Sequence, residues 1–179
     1  GASRMSRAMV KGDNGKFEDR TIEVLHDAVV NCCGPNGWDL YSQSDAISQQ
    51  LKALSECGEA CDSVNKGDSE QLKDDIGDII VCLINWAKIE DHDFMADWRA
   101  NGTALLCDSD KWCARDLTEC VAMNCYIKDN LGSMICFLKE LAARFGLCPV
   151  ECLGVSYDVI SKRKGRMING TFVKDLVLQ

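Results

Sequence analysis

The chain has 179 residues, 46% apolar and 27% charged, which suits one globular domain and excludes a disordered or collagen-like protein. Its 20 lysines and arginines stand against 28 acids, a net charge of −8, so no nucleic-acid partner is expected. The most apolar run, 79–87, is about half the length of a membrane span, so no membrane partner is expected either.

Residues 1–5 have no apolar leader segment, and Gly1-Ala2-Ser3 reads as a cloning remnant; a cytoplasmic protein is expected. Residues 17–33 carry Ile22, Leu25, Val29 and Val30 at helical spacing and predict a first helix. Gly34, in a left-handed conformation, and Pro35 are expected to end it. A second helix is predicted over 44–64, capped by Ser44 or Asp45, with Ile47, Leu51, Leu54, Gly58 and Cys61 as its stripe. Gly67 is its natural C-cap, and a third helix follows over 69–89 with Leu72, Ile76, Ile79, Ile80, Leu83 and Trp86 inward. Residues 90–112 read as a connector with at most short helices. Residues 116–145 predict one long helix or two, and Pro149 opens a last helix running to about 164. Asn169-Gly170 signals a tight turn in a short extended C-terminal tail.

The fold expected is therefore all-α, an antiparallel helical bundle in one domain spanning 1–179. Residues 72–80 resemble residues 127–135 position by position, with Asn130 in place of Asp75 and Ser133 in place of Asp78. A degenerate second helical hairpin follows from that echo, and 91–147 reads as an insertion or repeat. The twelve cysteines fall mostly inside helical segments, no Cys-x-x-Cys occurs, and the two histidines are His26 and His92. Small buried thiols in a reducing compartment fit this better than disulfides or zinc.

The carboxylates carry the chemical signal. Glu56 and Glu59 share one helix face, as do Asp75 and Asp78 on the next helix. Glu59 lies eight residues before Gly67 and Asp75 eight after; Glu56 lies eleven before and Asp78 eleven after. An antiparallel hairpin turning at Gly67 brings residues at equal distances to one level, so the four acids form a square if their faces meet. Four carboxylates at close range repel, and a hard divalent cation, Mg²⁺ or Mn²⁺, reverses that. The alternative is a solvated acidic helix face, since Asp62, Asp68, Glu70 and Asp74 lie nearby. A di-iron bundle would need Glu-x-x-His on two helices; Glu23 and His26 supply one, but Ile89 precedes His92 at the matching position.

Glu56-x-x-Glu59 followed by Asp75-x-x-Asp78 on two helices resembles the MazG-like all-α nucleoside triphosphate pyrophosphohydrolases, whose usual pattern has Glu where Asp75 stands. The approach 51–59 is similar to that family, and the tail 163–174 is similar to the C-terminal end of its phage-encoded members. The resemblance implies Mg²⁺-dependent cleavage of a (d)NTP to the monophosphate and pyrophosphate. It casts Glu56, Glu59, Asp75 and Asp78 as metal ligands and one glutamate as the residue that activates water. Lys52 could pair with Glu56 or reach a phosphate, and Lys162, Arg163, Lys164 and Arg166 could engage phosphates or merely complement a helix end. Trp38 and Asn85 are candidates for base contact. A homo-oligomer, with a dimer favoured, is implied as well. The rival reading is a non-catalytic helical module that binds nucleotides or proteins.

Overall fold

The computed structural model describes residues 7–11, 17–103 and 107–176. Strands β1 (Arg7–Lys11) and β2 (Phe17–Thr21) form an antiparallel hairpin, Arg7 opposite Thr21 and Lys11 opposite Phe17. The first helix, α1 (Ile22–Cys33), therefore starts five residues later than its periodicity suggests. The backbone of 17–21 is committed to the strand pair, and Thr21 caps the helix by accepting from Val24 N–H. Gly34 is extended rather than left-handed (φ −85°), and it is Asp39 that takes positive φ, 54°.

After a single turn, α2 (Leu40–Gln43), the long helix α3 (Ala46–Lys66) begins at Asp45, whose carboxylate accepts from Ser48 N–H at 2.8 Å. Its buried face is Gln49, Gln50, Ala53, Glu56, Cys57, Ala60, Ser63 and Val64, whereas Ile47 and Leu51 are exposed. The expected stripe is thus rotated. Gln50 is drawn inward because its amide donates to the carbonyls of Val121 (2.9 Å) and Asn124 (2.8 Å). Gly67 ends α3 at φ 65°, a conformation a side chain disfavours. Asp68 then caps α4 (Ser69–Ile89), accepting from Gln71 N–H.

Helix α4 is the hub, touching α1, α3, the short helix α5 (Phe94–Ala100), α7 (Ile127–Arg144) and α8 (Pro149–Ile160). Leu72, Ile76, Ile79, Ile80, Leu83 and Trp86 on it are all buried. Two helices rather than one fill the next stretch, α6 (Asp110–Met123) and α7 (Ile127–Arg144). Helix α6 begins six residues earlier than expected, because Ser109 caps it by accepting from Trp112 N–H. Helix α6 lies along α3, and α7 packs on α6 and α4. Asn130, which echoes Asp75, is non-helical (φ −147°), with its amide donating to Asn124 at 2.6 Å.

Helix α8 (Pro149–Ile160) starts on its proline and ends four residues short of the expected point. It is tied down by Arg20 to Asp158 through two hydrogen bonds and by Lys73 to Glu151 at 2.6 Å. Strands β3 (Gly165–Ile168) and β4 (Thr171–Lys174) follow as an antiparallel hairpin turning at Asn169 and Gly170, both at positive φ. The architecture is all-α with two small hairpins at its ends. No disulfide forms among the twelve cysteines, six of which are buried. Among the described residues no helix is long and apolar enough to cross a membrane.

Candidate active site

The α3–α4 hairpin sets its acids in pairs at two levels. Glu56 of α3 and Asp78 of α4 line one cavity. Glu59 and Asp75, one helical turn nearer Gly67, line a neighbouring open depression with Ser63 and Gln71. Among the described residues no three His, Cys, Asp or Glu side chains lie close enough together to hold a metal ion. The square of acids expected from spacing is therefore two pairs in this packing. Three of the four carboxylates have an attraction of their own. Ser63 Oγ and Gln71 Nε2 donate to the two oxygens of Asp75 at 2.5 and 3.0 Å. Ser156 Oγ on α8 donates to Asp78. Lys52 Nζ lies 3.2 Å from Glu56 Oε1, and Glu59 is exposed.

Asp78 reaches Ser156 because α4 and α8 cross at Gly77, where a Cβ would meet the Cys152 carbonyl oxygen at 2.1 Å. Only a glycine allows two helix backbones so near.

Burial governs the charge states. It pushes the Glu56 carboxyl up to about 7, helped by the charges of Asp78 and Glu59 and opposed by Lys52. Asp75 is also raised by burial, against the pull of its two hydrogen bonds. Asp78 is raised by burial, against Ser156 and the positive charge of Arg163.

Glu56 Oε2 is buried and has no hydrogen-bond partner. A carboxylate oxygen withheld from water, beside a second carboxylate and a cation, is short of a positive partner. A hard divalent ion would supply one, and the donor set is oxygen alone, as Mg²⁺ or Mn²⁺ requires. The oxygens of Glu56 and Asp78 have the chemistry such an ion takes, and Glu59 and Asp75 lie on the adjoining level.

Residues 46–101 match the family model of the MazG nucleotide pyrophosphohydrolase domain. The matched segment is α3, α4 and α5 and contains all four acids. No curated protein and no solved structure matches the chain.

The cavity beside this MazG-matching hairpin has walls from both ends of the sequence. Trp38, Leu40, Gln49 and Lys52 face it from one side, and Ile160, Arg163 and the β4 residues Thr171, Phe172 and Lys174 from another. Of the four basic residues at 162–166, only Arg163 lines it; Lys162, Lys164 and Arg166 are exposed outside its wall. Trp38 stacks on Phe172, with ring centroids 3.8 Å apart. Asn85 is buried at the cavity wall. The Tyr41 hydroxyl donates to its Oδ1 at 2.7 Å, and its Nδ2 donates to Cys33 Sγ at 3.5 Å. His26 stacks on Phe94 and pairs with Asp27, away from the acids.

Sequence reading missed Ser156, Tyr41, Phe172 and Lys174. Nothing local marks the first two, which act across 78 and 44 residues of chain. An aromatic and a lysine in β4, just past the Asn-Gly turn, were the one available signal for the others.

Proposed function

We propose that the cavity binds a nucleoside triphosphate and that the chain hydrolyses it between the α and β phosphates, releasing a monophosphate and pyrophosphate. The observation that carries this reading is Glu56 Oε2, buried without a partner in the same cavity as Asp78 and three cationic side chains. The MazG family match over 46–101 supports the reaction class.

Lys52, Arg163 and Lys174 meet the phosphate oxygens and hold the anhydride across the acid pair. Glu56 and Asp78 would hold Mg²⁺ or Mn²⁺, with Glu59 and Asp75 on the adjoining level; when bound, the ion offsets charge on the phosphates and the leaving group. One glutamate of the acid set orients a water for in-line attack on the α phosphorus and takes its proton as the new P–O bond forms. The bond to the bridging oxygen breaks, and pyrophosphate leaves with that oxygen's electron pair. Trp38 offers a stacking face to the base, and Asn85, held in one orientation by Tyr41, offers its amide to the base edge.

The test is pyrophosphate release from a panel of NTPs and dNTPs with Mg²⁺. Turnover by the wild type, lost at least about 100-fold in Glu56→Gln and Asp78→Ala, supports the assignment. Wild-type-like rates in those variants refute it, and binding without release would make the chain a nucleotide-binding module instead.

A further inference from the structure

The C-terminal hairpin sets an aromatic ring, Phe172, in the cavity wall between Thr171 and Lys174. Phe172 lies on Trp38 with ring centroids 3.8 Å apart and planes 14° from parallel, a full face-to-face contact. The hairpin that carries it has strands of four residues each, which alone would be marginal. Its tip is held to the bundle where Ser44 Oγ donates to the Gly170 carbonyl at 2.7 Å and Gly170 sits against Ser48. The cavity that Phe172 helps to line holds about 120 Å³ of free space, below the roughly 300 Å³ of small-molecule pockets. A nucleobase that is to lie on this face of Trp38 has to displace the Phe172 ring. Of the wall elements, α3, α4 and α8 are built into the core, whereas the hairpin meets it through Met167 and the tip contacts of Gly170.

We propose that Phe172 is a placeholder for the substrate's base: an entering nucleobase takes over the face of Trp38 that Phe172 covers, and the hairpin tip swings aside with the ring. This rests on the nucleotide reading above. The exchange trades one flat aromatic for another on the same indole. Displacing the ring costs every base the same, so the exchange lowers nucleotide affinity across the board. It also makes Phe172 an internal competitor that sets nucleotide affinity without touching the phosphates.

The experiment is calorimetric titration, in Mg²⁺ buffer, with non-hydrolysable α,β-methylene dNTPs and with inorganic pyrophosphate as the base-free control. Phe172→Ala should bind the analogues about 2- to 10-fold more tightly, the range expected for removing one aromatic stack, with pyrophosphate affinity unchanged. Phe172→Trp, a larger competitor, should weaken the analogues by a similar factor, and Trp38→Ala should weaken them too. Unaltered melting curves establish that each variant is folded. Analogue binding that is unchanged or weaker in Phe172→Ala, or a matching change for pyrophosphate, overturns the placeholder role while leaving the nucleotide reading standing. Absence of analogue binding by the wild type overturns both.

Discussion

The α carbon of Gly77 faces the backbone of Cys152 so closely that a methyl group there would lie 2.1 Å from the Cys152 carbonyl oxygen. One residue further along α4, Asp78 accepts a hydrogen bond from Ser156, one turn along α8. The close crossing and the anchoring of the acid are a single feature. Without the first, the second is out of reach.

Gly77→Ala should therefore force α8 away from α4. The atom in the way is backbone, so no rotamer change relieves it, and overpacking of this sort costs about 1–3 kcal/mol. Urea denaturation should show that loss, and a stability within about 0.5 kcal/mol of wild type would contradict the crossing described here.

Ser156→Ala removes a donor that holds the Asp78 carboxyl down against burial. The carboxyl then keeps its proton to higher pH. At pH 7 the variant should need more Mg²⁺ for half-maximal pyrophosphate release, and raising the pH should recover part of the deficit. A Mg²⁺ dependence identical to wild type at every pH would show that Asp78 does not depend on this bond.

Asp75 and Glu59 should separate in stability although both belong to the acid set. Asp75 is fully buried and accepts from the buried Ser63, so Asp75→Ala leaves that hydroxyl without its acceptor, at about 1–3 kcal/mol. Glu59 is exposed, and Glu59→Ala should change stability by less than about 0.5 kcal/mol. Equal costs in paired urea titrations would argue against the two environments.

Metal-free protein should lose stability as the pH rises. The Glu56 carboxyl titrates near 7 in the folded chain and at its ordinary 4.5 when unfolded. Below about 4.5 both states hold the proton. Between about 4.5 and 7 the folded state keeps a proton that the unfolded chain has released, so stability falls with pH across that window and levels off above it. The raised carboxyls of Asp75 and Asp78 act in the same direction. Urea midpoints between pH 5 and 8 in a chelator should show this slope, and Glu56→Gln should flatten it.

The helical hairpin at the heart of the molecule was legible because its signals are local. Asp68 and Gly67 mark the turn, and the apolar spacing of 72–86 marks the buried side of α4. Equal counting from Gly67 matched Glu56 with Asp78 and Glu59 with Asp75, and these pairs share their depressions. What spacing could not supply was the side-chain donors, since Ser63 and Ser156 decide where Asp75 and Asp78 point. The face of α3 was misjudged for the same reason. Gln50 is buried by carbonyls some 70 residues away, and hydropathy alone cannot value that. The strand at 17–21 was hidden by its partner, because the pairing depends on 7–11 and the intrinsic pattern ran on into α1.

The twelve sulfhydryl groups have a practical consequence for anyone heating this molecule. Six are sealed inside the bundle and inert while it holds. Melting brings all of them to solvent at once, where air can cross-link them in many wrong combinations. A thermal scan without reductant will then track irreversible scrambling, at a rate set by how fast the bundle opens, and not a reversible equilibrium.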